Sequence, residues 1–393
     1  MPPSSRKSRR CAEPGAVRQS NTAEAGWKQR MDVFRQKLQT QLKVIWMANS
    51  EQTRVDAVED IRRSFYSLFG NGQEGVPEQA LCAEIGHVVF STMSIVILPE
   101  AALQVRANLP DKESYVETMQ MMAQLVVRLY AGTDATRISR TSMFHVLRNF
   151  SDNMNASSPG ARYRIVQFVN LILKGFLEAE IVFSHVGSNG ENFLKKALFD
   201  RTYDINSKVA AMAVETIGHF QFEDDVAQRT RAFSVLWFRM QDHESHLVRA
   251  AATRTIQVTP QSAPAIVRRA FDRHPDVRVA GFEVISDMIA AKIVKVQLRS
   301  HLLMTGLNDQ NALVRAAAAT CLQVWLRDCN NDYAGLVNDV GVEPGKPLFA
   351  NKQIGMEIFD VAQDVKEICG NGSGVSSTDT RMRSPNENNL PAQ

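Results

Sequence analysis

The sequence has 393 residues, a formal net charge of +3 and 44% hydrophobic residues, which is the composition of an ordinary folded protein. No apolar run approaches the roughly 18 residues that a membrane-spanning helix needs, and the basic N-terminus lacks the apolar segment of a secretory signal. The five cysteines include no Cys-x-x-Cys pair, so the sequence predicts neither a zinc framework nor a disulfide pattern, and we expect a reducing compartment.

The first segment is rich in Ser, Pro, Arg and Ala without helical periodicity. Residues 1–30 carry seven Lys and Arg against two acidic residues. We therefore predict that residues 1–26 form a disordered basic arm. Such an arm is compatible with nucleic-acid contact, with nuclear import or with a merely solvated tail, and the sequence leaves these alternatives open.

From Trp27 onward the apolar residues recur at helical spacing, in pairs of segments separated by turns. Met31, Phe34 and Leu38 begin the first stripe, and Val58, Ile61 and Phe65 belong to the next. The pattern continues to about residue 345, and it predicts an array of helix pairs over 27–345.

The clearest unit is Gly306–Asp328, which reads as a helix end, a turn and a second helix. Its turn carries Asp309, and Arg315 follows six residues later. Asp272 and Arg278 repeat that spacing. The motif therefore recurs along the chain.

A valine lies near the start of the second predicted helix of each unit. The valines Val209, Val248, Val277 and Val314 are 39, 29 and 37 residues apart. This period is typical of HEAT repeats, so we predict an all-α, HEAT-type α-solenoid of stacked antiparallel helix pairs, most regular at 193–342. Such a fold usually offers an extended binding surface.

The composition changes after the array. Residues 346–369 have the pattern of one further terminal helix, and residues 370–393 read as a disordered tail. Ser384, which precedes Pro385 in this tail, is a candidate phosphorylation site for a proline-directed kinase. With one weak helix in place of a capping repeat, we expect a shortened array.

Four segments together resemble one known family. They are Ser262–Arg269, Asp276–Arg278, the GLND sequence at Gly306–Asp309, and Leu322–Arg327. In order and spacing they are similar to the HEAT block of the CAP-G family of non-SMC condensin proteins, also called condensin complex subunit 3. The resemblance covers roughly residues 161–342 and is most specific between the GLND and WLR sequences.

This resemblance implies a non-catalytic regulatory subunit of condensin. Members of the family bind the kleisin chain, CAP-H, and with it grip double-stranded DNA without sequence preference during mitotic chromosome condensation. The ATPase activity belongs to the SMC pair, so the resemblance implies no cofactor and no small-molecule substrate for this chain. It also implies a location in the nucleus and on mitotic chromosomes, with a cytoplasmic pool, and family members continue with further repeats beyond Val342.

Basic residues at helix ends are the candidate contacts to DNA phosphates, because such contacts are chiefly electrostatic. Residues 193–327 hold 18 basic and 13 acidic residues, so the repeat block is mildly basic. For each single candidate, a solvated surface position is the competing interpretation. The candidates are Arg162, Arg164, Lys195, Lys196, Arg201, Arg268, Arg269 and Arg273.

A second class of arginines follows the repeat valines. We predict that Arg249, Arg278 and Arg315 make structural, charge-assisted hydrogen bonds with turn aspartates of their own or a neighbouring repeat. Asp272 and Asp309 are the expected partners. At the first regular repeat the sequence is Lys208-Val209-Ala210, so we expect this pairing to be absent or altered there.

Signatures of enzymes are missing. His243 and His246 are three residues apart in a turn, whereas the His-Glu-x-x-His motif places its histidines four apart on a helix. We therefore expect no catalytic, cofactor or metal site. Two alternatives stay open, a HEAT scaffold or transport adaptor that binds only protein, and a HEAT-derived enzyme. Salt-sensitive DNA binding separates the condensin interpretation from the scaffold, and bound metal or turnover favours the enzyme.

Overall fold

The computed structural model describes residues 14–48, 50–68, 78–97, 112–131, 137–180, 191–222, 225–242 and 244–328. Residues 1–13, 329–345, the predicted terminal helix at 346–369, the predicted tail at 370–393 and Ser384 lie outside the described residues. In the described ranges the chain contains α-helices, two short 3-10 helices and no strand. No helix there is long and apolar enough to cross a membrane.

Fourteen α-helices lie in the described ranges. In chain order they are α1 Pro14–Met47, α2 Glu51–Ser67, α3 Glu78–Ile97, α4 Lys112–Ala131, α5 Arg137–Asn153, α6 Pro159–Glu178, α7 Glu191–Arg201, α8 Ser207–Ile217, α9 Val226–Asp242, α10 His246–Thr255, α11 Ala263–Arg269, α12 Pro275–Met288, α13 Val296–Leu307 and α14 Ala312–Asp328. The 3-10 helices are Gly218–Phe222 and Ala291–Ile293.

Helix α1 begins earlier than the sequence analysis expected. Pro14 lies inside the segment 1–26 that we predicted to be a disordered arm, and the helix continues from there through Trp27. Ala16, Ala23 and Glu24 are strong helix formers, and Pro14 occupies a first-turn position where its missing N–H costs nothing. Local propensity therefore favours a helix where hydrophobic periodicity gives no signal.

The chain divides into two compact units between Gly281 and Phe282. In the first unit, α2, α4, α6, α8 and α10 pack one against the next, and α1, α3, α5 and α7 do the same in a second row. Pairs such as α1 with α2 and α7 with α8 join the two rows. The helices inside each row thereby bury two flanks against neighbouring repeats.

The repeat valines are all core residues. Val209, Val248, Val277 and Val314 are each the third residue of their helix, and each is fully buried. Val277 packs with Ala280 and with Ala250 of the preceding repeat. The small side chains of Ala250 and Ala280 let α10 and α12 approach closely at this contact.

In the second unit, α14 packs on α13 through buried residues that include Trp325 and Cys321. The indole Nε1 of Trp325 donates to the Ile289 carbonyl oxygen over 3.0 Å. Burial raises the pKa of the Cys321 thiol to about 12, with a smaller contribution from Asp287, so this cysteine is a core residue.

Candidate functional site

The fourth residue of several second helices is an arginine that turns back over the preceding loop. Arg162 of α6 donates to the Ala156 and Ser157 carbonyl oxygens, and Arg315 of α14 donates to those of Asp309 and Gln310. The same arrangement holds Arg278 over the Asp272 and Arg273 carbonyls, Arg249 over Glu244, and Arg54 of α2 over Ala48. These arginines donate hydrogen bonds to backbone carbonyl groups of the loop, which have no partner within a regular helix.

Arg249 also reaches the next repeat. Its Nη2 and Nε donate to the two carboxylate oxygens of Asp272 over 2.7 and 3.0 Å. The Arg249 and Asp272 side chains are only 4% and 6% exposed, so this is a buried, bidentate ion pair. Arg269 adds a second guanidinium 3.3 Å from Asp272.

The same constellation occurs between α6 and the turn before α8. Arg162 makes a bidentate pair with Asp204 at 2.7 and 2.8 Å, and Arg201 adds a contact at 3.0 Å. In both constellations the second arginine precedes the aspartate by three residues. The aspartate also accepts the backbone N–H two residues ahead, from Asn206 or from His274. The repeats are thus joined by one recurring polar unit.

These aspartates are ionised over the whole physiological range. Burial alone raises the pKa of Asp272, but the hydrogen bonds from Arg249 and the His274 N–H outweigh it, so its pKa lies below the usual value. Asp204 behaves in the same way, with Arg162 and the Asn206 N–H as donors, and its pKa is also lowered. Below these depressed pKa values the pairs lose their charge, so their contribution to stability disappears only in acid.

Several predicted phosphate contacts lie inside these units. Arg162, Arg201 and Arg269 direct their guanidinium groups to Asp204 or Asp272, so they have charged partners within the protein. Lys195 is buried, and its ammonium lies 5.5 Å from the centre of the Phe220 ring. We do not retain these four residues as phosphate-binding candidates, because a buried or paired cation is not available to a duplex.

The other predicted candidates remain accessible. Lys196 of α7, Arg268 of α11 and Arg273 in the turn before α12 are exposed. Arg273 donates a long hydrogen bond of 3.4 Å to the Glu244 carbonyl. Arg164 is partly buried. Its Nη1 donates to Gln167 Oε1 over 2.9 Å, and its guanidinium carbon lies 5.8 Å from the Tyr163 ring centre.

An exposed apolar surface lies beside the Asp204 turn. Tyr203 and Phe238 are more than half exposed, and Ile205 is fully exposed. The Arg239 guanidinium lies 3.8 Å from the Tyr203 ring centre and 6.0 Å from that of Phe238, so the two rings flank one cation. We call Tyr203, Ile205, Phe238 and Arg239 the aromatic patch.

Among the described residues, one group has the composition of a metal-ligand set. His246 is the first residue of α10, His274 directly precedes α12, and Asp276 lies in the first turn of α12. This group is not evident from the sequence, because His246 and His274 are 28 residues apart and His246 has only His243 as a near histidine neighbour. The sequence pattern placed Arg162 among the phosphate-binding candidates, although Arg162 is the fourth residue of its helix like Arg249.

The comparisons with known proteins agree with this architecture. The HEAT repeat family model matches residues 301–329. Condensin complex subunit 3 of Schizosaccharomyces pombe is 26% identical over 227 residues, which is 56% of this chain and 24% of that protein. Human condensin complex subunit 3 is 24% identical over 221 residues, which is 56% of this chain and 21% of the relative.

A solved structure shares the fold. The crystal structure of the S. pombe condensin Cnd3-Cnd2 subcomplex superposes with a TM-score of 0.60 at 17% sequence identity, covering 84% of this chain and 38% of that one. The all-α HEAT-type fold and the resemblance to condensin complex subunit 3 are therefore confirmed. The matched region spans less than a quarter of the length of each curated relative.

Proposed function

We propose that this chain, which resembles condensin complex subunit 3, is a non-catalytic HEAT subunit of a condensin complex. In this proposal it binds a kleisin segment and, together with it, double-stranded DNA without sequence preference. Through the kleisin it is connected to the SMC ATPase pair. It acts in mitotic chromosome condensation, in the nucleus and on chromosomes, with a cytoplasmic pool.

One observation carries the proposal. Two relatives described as condensin complex subunit 3, from fission yeast and from human, each match the same share of this chain, 56%. A generic HEAT scaffold accounts for the repeat pattern but not for a match to the same subunit in two distant organisms. The related Cnd3 was crystallised together with Cnd2, which supports a partner chain on this type of surface.

DNA binding by such a chain is electrostatic. Lysine and arginine side chains that neutralise phosphates release condensed counterions, so the affinity falls steeply as salt rises. The exposed candidates are Lys196, Arg268 and Arg273, with Arg164 as a partly buried fourth. The buried pairs of Arg162 and Arg249 have a separate role, since they hold the backbone that presents these side chains.

The aromatic patch is our candidate for the kleisin contact. Tyr203 and Phe238 flank one guanidinium, and Ile205 follows Tyr203 by two residues. All three are large exposed side chains, and aromatic residues of this kind anchor protein interfaces. Arg239 is itself buried, and its guanidinium supports the Tyr203 ring from a distance of 3.8 Å to the ring centre. An extended kleisin segment with apolar side chains fits this chemistry.

The test of DNA binding uses the full chain, with and without a co-expressed kleisin subunit, and a short fluorescent duplex at several salt concentrations. The variant carries Lys196→Glu, Arg268→Glu and Arg273→Glu. Each lost phosphate contact lowers the slope of log affinity against log salt by about 0.9, so we expect a fall of about 2 to 3.

The matched control carries the same charge change at three other exposed positions, Lys43→Glu, Arg140→Glu and Arg229→Glu. We expect its salt slope to stay close to that of the parent chain. Equal loss of binding in both variants shows that only net charge matters and contradicts the assigned surface. Absence of duplex binding at low salt, with the kleisin attached, favours the protein scaffold.

A further inference from the structure

Two histidines from consecutive repeats lie face to face in the first unit. The imidazole rings of His246 and His274 have their centres 3.5 Å apart and are inclined by only 13°. The Asp276 carboxylate lies beside both rings, with Oδ2 3.5 Å from His246 Nε2 and 3.6 Å from His274 Nδ1. Two nitrogen donors and one oxygen donor thus converge on one small region.

The backbone under this group is fixed by the buried ion pair. His246 stands three residues before Arg249, and His274 stands two residues after Asp272. The His274 N–H itself donates to Asp272 Oδ1 over 2.9 Å. Because Arg249 and Asp272 join the two turns through a buried bidentate contact, the imidazoles are held in register by the fold and not by their own stacking.

The spacing of the donor atoms suits a small divalent ion. Ligand atoms that are each about 2.0–2.1 Å from a tetrahedral ion lie about 3.4 Å from one another. The two distances from the Asp276 oxygen to the imidazole nitrogens, 3.5 and 3.6 Å, are close to this value. All three donor atoms lie within 4.8 Å of each other, so only small side-chain movements are needed.

Two features of the site have to change when an ion binds. The rings are nearly parallel, and an ion cannot lie in both ring planes, so one imidazole must turn out of the stack. The Nδ1 of His274 accepts a long hydrogen bond of 3.3 Å from the Asp276 N–H, which the ion must replace. The side chains of His246, His274 and Asp276 are 37%, 35% and 50% exposed, so they have room for this adjustment.

We propose that His246, His274 and Asp276 form a binding site for a divalent transition-metal ion of the zinc class, which links two consecutive repeats. Imidazole nitrogen and carboxylate oxygen are donors that suit Zn²⁺ and Co²⁺. With three protein ligands on an open surface, the ion keeps at least one position for water or for a group from a partner chain. The site adjoins Arg273, one of the proposed phosphate contacts, but its ligands are different residues and it does not depend on the proposed function.

The experiment uses the untagged full chain with ZnCl₂ in calorimetry and with CoCl₂ in visible absorption. We expect one equivalent of metal to bind and Co²⁺ to give d–d bands without thiolate-to-metal charge transfer, because the ligands contain no sulfur. His246→Ala and His274→Ala each weaken binding at this site at least tenfold, and Asp276→Asn weakens it less. The control His87→Ala, an exposed histidine of α3, leaves it unchanged.

Three results overturn the proposal. The first is an absence of Zn²⁺ and Co²⁺ binding by the parent chain. The second is equal affinity in the parent and His274→Ala chains. The third is charge transfer from thiolate to Co²⁺, because it assigns the ion to cysteines. Far-UV circular dichroism of the two alanine variants shows whether they are folded, and Asp276→Asn, an exposed near-isosteric change, tests the site even where an alanine variant unfolds.

Discussion

The buried pair of Arg249 and Asp272 joins two consecutive repeats, and its removal is expected to be costly. The change Arg249→Met keeps most of the apolar stem and removes the guanidinium. It leaves the Asp272 carboxylate, whose side chain is 6% exposed, without its bidentate partner. Breaking a buried pair from one side typically costs about 3–5 kcal/mol. Because Arg269 stays 3.3 Å away, we expect the lower end, about 3 kcal/mol.

The assay is urea unfolding of the full chain, followed by far-UV circular dichroism. The comparison variant is Arg315→Met, at the equivalent position of α14. Arg315 is exposed and donates hydrogen bonds to the Asp309 and Gln310 carbonyls of its own turn, so we expect its loss to cost about 1 kcal/mol.

A double-mutant cycle isolates the coupling in this pair. Asp272→Asn preserves a side-chain oxygen that accepts the His274 N–H, so the turn retains its local cap. We expect the double variant Arg249→Met with Asp272→Asn to be clearly more stable than the sum of the single effects predicts, because neither charge is then left alone. Equal costs for Arg249→Met and Arg315→Met, or strict additivity in the cycle, refute this reasoning.

Two further predictions concern other parts of the described chain. Burial, with a smaller effect of Lys174, lowers the pKa of His219 to about 4. His219 is therefore protonated near pH 6.5 in the unfolded chain but stays neutral in the folded chain until the pH approaches 4. Stability contributed by neutral His219 is therefore present above pH 6.5 and is lost as pH falls towards 4; the loss between pH 7.5 and 5.5 is about 1 kcal/mol. His219→Gln, measured by urea unfolding at both pH values, should remove this increment, and an unchanged pH dependence contradicts it. A Cβ at Gly306 lies 2.3 Å from the Phe282 ring, so Gly306→Ala is expected to cost about 1–3 kcal/mol. Gly26→Ala, which meets no atom within 4 Å, should be neutral or stabilising by up to about 1 kcal/mol, and equal thermal shifts in the two variants contradict the packing argument.

The fold was accessible from the sequence because its signal is local and repeated. Each second helix of the regular repeats carries a valine as its third residue, and the neighbouring residues already show which face is apolar. All four of these valines are buried: Val209, Val248, Val277 and Val314. The start of α1 at Pro14 was missed for the opposite reason, since that segment is helical by propensity without an apolar stripe.

The side-chain constellations were less accessible, because they depend on register between repeats. Arg162 and Asp204 are 42 residues apart, and His246 and His274 are 28 apart. No local pattern shows which turn faces which. Arg162 carried one usable signal, its place as the fourth residue after a helix start, which it shares with Arg249, Arg278 and Arg315.

The central claim is that the chain binds a kleisin, and co-expression of the full chain with a condensin kleisin subunit tests it most directly. Size-exclusion chromatography with light scattering measures the stoichiometry. We predict a one-to-one complex that is weakened by Tyr203→Asp and Phe238→Asp, and that is unaffected by Val33→Asp, an equally exposed apolar position on α1. A folded chain that elutes apart from the kleisin contradicts the claim.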